Sequence, residues 1–183
     1  MKKYFSICLI CIISFYSCSK KEDPFLIAKG QLGALNITTT VSQLDSIYAT
    51  DSLVKIARND PRNFRKKDQY LIYEKGGKHL LTISPSLDST ATIENIQVFD
   101  NRYRTVKGIT IESTFKEISD QYKISKIETI GNNVVLLIDE IDAHFTISRE
   151  ELPADIRFDR SKKIEAVHIP NTAKIKYFMI GWN

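Results

Sequence analysis

The sequence predicts an α+β fold made of two diverged repeats, each with one short helix packed on antiparallel strands, the two sharing one sheet. Three observations predict it. Two segments carry apolar residues at helical spacing behind the same kind of cap. The segments between them are short, rich in β-branched and aromatic residues, and separated by turn residues. Blocks of sequence also recur in the same order in both halves of the 183-residue chain.

The helices come first in each half. In residues 40–49, Val41, Leu44 and Tyr48 are spaced i, i+3, i+7, and Thr40 with Gln43 forms a capping-box pattern. In residues 114–122, Phe115, Ile118 and Tyr122 repeat the spacing, and Thr114 with Glu117 repeats the cap. Strands are expected at residues 53–58, 70–73, 79–84 and 93–99, with Gly76 and Gly77 as a hairpin turn. Their counterparts are residues 124–130, 134–138, 144–148 and 164–169, with residues 139–142 at the turn. A last strand at 175–182 (IKYFMIGW) is apolar on both alternating faces from Tyr177 onward, the pattern of a strand covered on both sides.

The duplication rests on three blocks. Residues 37–48 (ITTTVSQLDSIY) match 111–122 (IESTFKEISDQY), 81–84 (LTIS) match 145–148 (FTIS), and 93–98 (IENIQV) match 164–169 (IEAVHI). The changing offset asks for about ten extra residues in the first copy, and these correspond to the basic segment 58–67 (RNDPRNFRKK). The expected division is 31–104 and 105–183. This order of elements resembles tandem-repeat modules such as the β-lactamase inhibitor protein, which implies a helical segment laid on a four-stranded sheet in each repeat. The resemblance is one of element order and implies no binding residues.

The amino terminus has another character. Lys2 and Lys3 precede the 14 residues 4–17 (YFSICLICIISFYS), and all three cysteines, Cys8, Cys11 and Cys18, lie in the first 18 positions. A bilayer-spanning helix needs roughly 20 apolar residues, so this run has the length of a cleaved signal and not of a permanent span. Cys18 directly follows the small residue Ser17, and this junction resembles the lipobox of bacterial lipoproteins. The resemblance implies cleavage before Cys18, acylation of its sulfur and new amino group, including palmitate-type chains, and a stable membrane anchor. Phe15 and Tyr16 depart from that family's usual aliphatic and small residues. Ser19, where many inner-membrane lipoproteins carry aspartate, implies the outer membrane, and Lys21, Glu22 and Asp23 resemble a surface-export signal. Residues 1–17 are thus expected to be a signal peptide and 18–30 a lipid-anchored tether ahead of the folded part.

Removing the signal takes Lys2 and Lys3 with it and lowers the net charge from +4 to +2. Arg58, Arg62, Arg65, Lys66 and Lys67 face one acid, Asp60, within residues 58–67, so the rest of the mature chain is net acidic. A nucleic-acid surface needs a broader basic face. Arg62, Arg65, Lys66 and Lys67 are the candidate contacts to an anionic partner, either another envelope protein or an anionic surface polymer.

The densest polar cluster is Asp139, Glu140, Asp142 and His144. On a straight strand the last three would share a face and could ligate a metal, giving the alternative of a small metal-binding protein or hydrolase; a hairpin tip would leave the acids solvated. His79, His144 and His168 are placed on separate strands. No phosphate-cradling loop, nucleophile elbow, dinucleotide fingerprint or zinc-protease motif occurs. The expectation is a non-enzymatic, lipid-anchored binding or accessory module without a cofactor or a metal.

Overall fold

The computed structural model describes residues 23–61, 63 and 67–182. In chain order these form β1 (Leu26–Ala28), β2 (Gln31–Leu32), β3 (Leu35–Asn36), a 3₁₀ turn Val41–Gln43 running into α1 (Leu44–Ile47), β4 (Ser52–Ile56), β5 (Gln69–Tyr73), β6 (His79–Pro85), β7 (Ile93–Val98), β8 (Arg104–Thr105), α2 (Phe115–Gln121), β9 (Lys126–Ile130), β10 (Asn133–Ile138), β11 (Ala143–Ser148), a 3₁₀ turn Arg149–Glu151, α3 (Ala154–Arg157), a 3₁₀ turn Ala166–His168 and β12 (Ile175–Gly181). The fold is α+β, with a few short helices and mostly strands.

Both predicted caps form. The Thr40 backbone N–H donates to Gln43 Oε1 at 2.8 Å, and the Thr114 N–H donates to Glu117 Oε2 at 2.7 Å. Each cap is also fixed to the start of a central strand. Thr40 bridges Thr92, just before β7, and Thr114 bridges Lys174, just before β12. Val41 N–H donates to the Ala91 carbonyl at 3.1 Å, and Phe115 N–H donates to that of Ala173 at 2.9 Å.

Eight strands make one sheet in the order β4-β5-β6-β7-β12-β11-β10-β9, antiparallel throughout. Cross-strand register builds a single apolar row over all eight strands: Leu53, Ile72, Leu81, Val98, Phe178, Phe145, Leu136 and Ile127. A second row runs through Tyr70, Ile83, Ile96, Ile180, Ala143 and Ile138. Leu44 of α1 and Phe115 and Ile118 of α2 join these rows in one core, as do Ile27, Leu32 and Leu35. At the centre the Phe145 and Phe178 rings meet at 4.5 Å.

Four expectations are corrected. The strands do not all share one sheet: β3-β2-β1-β8 form a separate four-stranded sheet. Its strands of two and three residues are too short to produce a period, and Gly33, with φ of 53°, sits so close to Pro24 that a Cβ would collide with that residue's carbonyl oxygen. The expected tether, residues 18–30, runs into the fold, because Leu26–Ala28 is a strand and Ile27 is fully buried. Residues 164–169 are not a strand. Glu165 and His168 cap a 3₁₀ turn between the buried Ile164 and Ile169, and Pro170 follows it without an N–H to donate. The place that mirrors β7 is taken by β12. Finally, β12 is covered on one side only: Phe178 and Ile180 are fully buried, whereas Tyr177 is 39% exposed and Met179 half-buried.

The end of the sheet where β5 and β7 finish and β6 begins is tied by charge. The Asp100 carboxylate is wholly buried and takes Arg102 Nη2 at 2.7 Å and Lys78 Nζ at 3.0 Å, while Arg102 Nη1 reaches Glu74 at 2.8 Å. Burial alone would raise the Asp100 pKa, but the Arg102 and Lys78 hydrogen bonds outweigh it and pull the carboxyl down to about 2. Arg102 also lies over the Phe25 ring at 4.5 Å, Phe25 packs edge-on against Tyr103 at 5.0 Å, and Arg104 pairs with Asp23. The first described residues are therefore clamped to the domain.

Two outcomes test this account. Phe178→Ala removes the ring at the middle of the row and is expected to cost about 3–5 kcal/mol in denaturant unfolding. Because the folded-state pKa of Asp100 is depressed from 3.8, the stability it confers is present above that value and is lost as pH falls toward about 2. Comparing urea midpoints at about pH 5 and about pH 2.5 should show a smaller acid-induced drop in Asp100→Asn than in the wild type.

Candidate functional site

A sizeable cleft lies at the end of the sheet away from Asp100. Its volume is about 620 Å³, and its lining includes Lys29, Asn95, His144, Gly181 and Trp182, with the acids Asp139 and Asp142 and the apolar Leu137 and Ile37. Volumes of this order are typical of small-ligand sites. The sheet register assembles it: Gly181 pairs with Asn95 on β7, and His144 pairs with Met179 on one side and Leu137 on the other. The Gly181 N–H donates to the Asp142 carbonyl at 2.8 Å, which holds the β10–β11 tip against the end of β12.

The acidic cluster forms that tip. Ala143 pairs with Ile138, so Asp139, Glu140, Ile141 and Asp142 make a four-residue turn, with Asp142 at φ of 52° and Ile141 buried. Glu140 pairs with Lys107 at 2.7 Å. Asp142 faces Lys29 Nζ at 3.8 Å, and the same ammonium donates to the Asp139 carbonyl at 3.3 Å. Glu140, Asp142 and His144 therefore do not sit on one straight strand face, and among the described residues no three His, Cys, Asp or Glu side chains group as a metal site. Burial holds the His144 imidazole below the usual histidine pKa.

His79 opens β6 and His144 is the second residue of β11, whereas His168 lies in a 3₁₀ turn, where its Nδ1 accepts from the Glu165 N–H at 3.0 Å. The His79 ring is stacked between Tyr73 at 4.6 Å and Phe99 at 3.9 Å, and its Nε2 meets Thr82 Oγ1 at 3.0 Å. Burial lowers its pKa more than the Leu81 carbonyl contact raises it. This stack belongs to the outer face of the large sheet, opposite the helices. That face leaves Val54 46%, Phe99 40% and Tyr177 39% exposed.

Of the basic candidates, Arg62, Arg65 and Lys66 lie outside the described residues, as does Cys18. Lys67 is described, and its ammonium is paired with Glu94 at 2.9 Å, beside Asn95. The neck of the loop is closed by Asn63, whose Nδ2 donates to the Ala57 carbonyl at 3.0 Å, and by Asp68, whose Oδ1 accepts from the Arg58 N–H at 2.8 Å. Asn95, Gly181, Trp182 and Lys29 escape a reading of the sequence, because strand pairing alone unites them. The one usable signal is Gly181, a glycine inside an apolar strand, which marks open space or a close approach.

No family model and no curated protein matches the chain. Among solved structures it is similar to the crystal structure of the uncharacterized protein yfeY from Escherichia coli, with a TM-score of 0.56 and 13% sequence identity over 87% of this chain and 99% of that one. At that identity the likeness establishes a common fold and nothing about activity.

Proposed function

We propose that this protein is a lipid-anchored module of the cell envelope, attached at the outer membrane through acylated Cys18, and that it acts by binding another envelope protein, not by catalysis. The observation that carries the binding role is the uncovered outer face of the eight-stranded sheet, where the central strand β12 presents Tyr177 and Met179 beside Phe99 and the Tyr73–His79 stack. Exposed apolar and aromatic side chains clustered on a rigid sheet are the usual material of a protein interface. The bases Arg62, Arg65, Lys66 and Lys67 add a positive fringe for an anionic partner surface, with Lys67 already held by Glu94.

The clamp on Asp23 and Phe25 supports a short tether. Only residues 19–22 separate Cys18 from the first described residue, so a fully extended link of five steps reaches about 18 Å. Anchored there, the domain would stand against the membrane surface instead of sampling the space beyond it.

In the same reading the domain is two diverged copies of one unit. Strand order mirrored about the β7–β12 seam, matching Thr caps on α1 and α2, and matching bridges from those caps to the residue before β7 and before β12 support it. The 164–169 block drops out of the match, and β12 replaces it as the partner of β7.

Mass spectrometry of the mature protein should find an amino-terminal Cys18 carrying diacylglycerol and an amide-linked acyl chain; an unmodified Cys18 or cleavage elsewhere overturns the address. A photo-crosslinking residue at Tyr177 in intact cells should give a discrete heavier adduct, whereas the same probe at Val167, 83% exposed but off the sheet, should not. Equal labelling from both sites overturns the outer-face role.

A further inference from the structure

The polar side chains around the cleft have more hydrogen-bonding capacity than the fold consumes. The Asn95 amide and the His144 imidazole make no hydrogen bond to another described residue, and the Trp182 indole N–H is buried without a partner, in a residue only 6% exposed. Gly181 lies between the first two. A Cβ there would sit 3.8 Å from Asn95 Oδ1 and 3.8 and 4.0 Å from His144 Cε1 and Nδ1, so the bare backbone is the floor and the amide and imidazole flank it.

Charge narrows what can enter. Lys29 is committed to Asp142 and the Asp139 main-chain carbonyl, so a free anion would meet two carboxylates, while the ammonium offsets one of the two charges that could draw a cation. What remains suited is a neutral ligand whose groups both donate and accept, since an amide and a neutral imidazole each offer both functions and a carboxylate only accepts. Leu137 and Ile37 supply apolar surface at the same site.

The geometry points to a binding site for a neutral saccharide in this cleft. Its hydroxyls meet Asn95, His144 and the Asp139 and Asp142 carboxylates, and its C–H faces meet Leu137 and Ile37. The site does not depend on acylation of Cys18, and although His144 lies beside Met179 on the outer face, titration with free sugars reads the cleft alone, so its failure is distinguishable from failure of the docking role.

Trp182 is the chain's single tryptophan, so its indole N–H gives one resonance that reports on the cleft. Full-length protein in a sugar-free zwitterionic detergent would be titrated with chitobiose, maltose and lactose, and separately with inorganic phosphate and spermidine. At least one disaccharide should shift the indole resonance saturably, and phosphate and spermidine should not. Gly181→Val fills the floor with a residue that strands favour, and should weaken that binding at least tenfold with the melting temperature unchanged; Asn95→Ala gives the same reading if the valine variant does not fold. Val167→Ala should bind as the wild type does. No shift with any disaccharide, a shift with phosphate or spermidine alone, or saturation unaltered by the cleft variants would overturn the assignment.

Discussion

The pairing of β7 with β12 holds the large sheet together. It joins Val98 to Phe178 and Asn95 to Gly181, residues some eighty positions apart, and places the last strand of the chain at the centre of the sheet instead of at an edge. Closing so long a loop has an entropic cost that grows only with the logarithm of its length, whereas the side chains enclosed at the seam, Val98, Phe178 and Ile180, are among the most buried in the molecule. Phe178 and Ile180 complete two apolar rows that would otherwise stop at Val98 and Ile96 on one side and at Phe145 and Ala143 on the other. Without β12 the sheet would fall into two halves, each with an unpaired apolar strand at its edge, the arrangement most prone to wrong pairing.

That seam also explains why the two faces differ. The helices and the four-stranded sheet are short and lie on the same side, so they can cover one face of the eight strands and not the other. On the covered side the two rows are apolar or aromatic throughout, from Leu53 to Ile127 and from Tyr70 to Ile138. On the outer side the central row runs Leu71, Thr82, Gln97, Met179 and His144, with Thr82 and Gln97 almost fully buried among larger neighbours. A surface that mixes buried polar atoms with half-exposed Tyr177 and Phe99 is stable in water and still has apolar area to lose to a partner.

The sequence made the local features legible and the distant ones not. The capping boxes at Thr40 and Thr114 and the glycine turn at Gly76 are short-range physics, and each forms where the residue types require. So do the strands around Ile72, Ile83, Val134 and Phe145, whose alternation or apolar density is unambiguous. Residues 164–169 mislead because their resemblance to 93–98 is compositional: β7 buries Ile93 and Val98 at the same spacing, and what sets 164–169 apart is the Glu165–His168 cap and Pro170, which has no N–H to offer a ladder. The small sheet is invisible to any periodicity argument, since strands of two residues have no period. The candidate site divides in the same way. Asp139, Asp142 and His144 were visible as a cluster, but the partners that turn the cluster into a cleft, Asn95 of β7, Gly181 of β12 and Trp182 just after it, meet only through the seam.

The ends of the strands give the domain a direction. Asp100, Arg102, Glu74 and the clamp on Asp23 and Phe25 lie where β5 and β7 finish. The cleft, the β10–β11 tip and the neck of the basic loop at Arg58 and Asp68 lie where β7 begins and β4 and β12 finish. Asn95 on β7 and Phe99 just past its end are four residues apart, which at about 3.3 Å per residue separates the two ends by ~13 Å. Lys67 bonded to Glu94 ties the loop to the cleft side of that axis. An anchor at Cys18, as proposed above, would hold the charged clamp toward the membrane and turn the cleft and the neck of the basic loop away from it. The neck of the positive segment and the acidic tip thus share one end of the sheet, which the proposed anchor would turn away from the membrane.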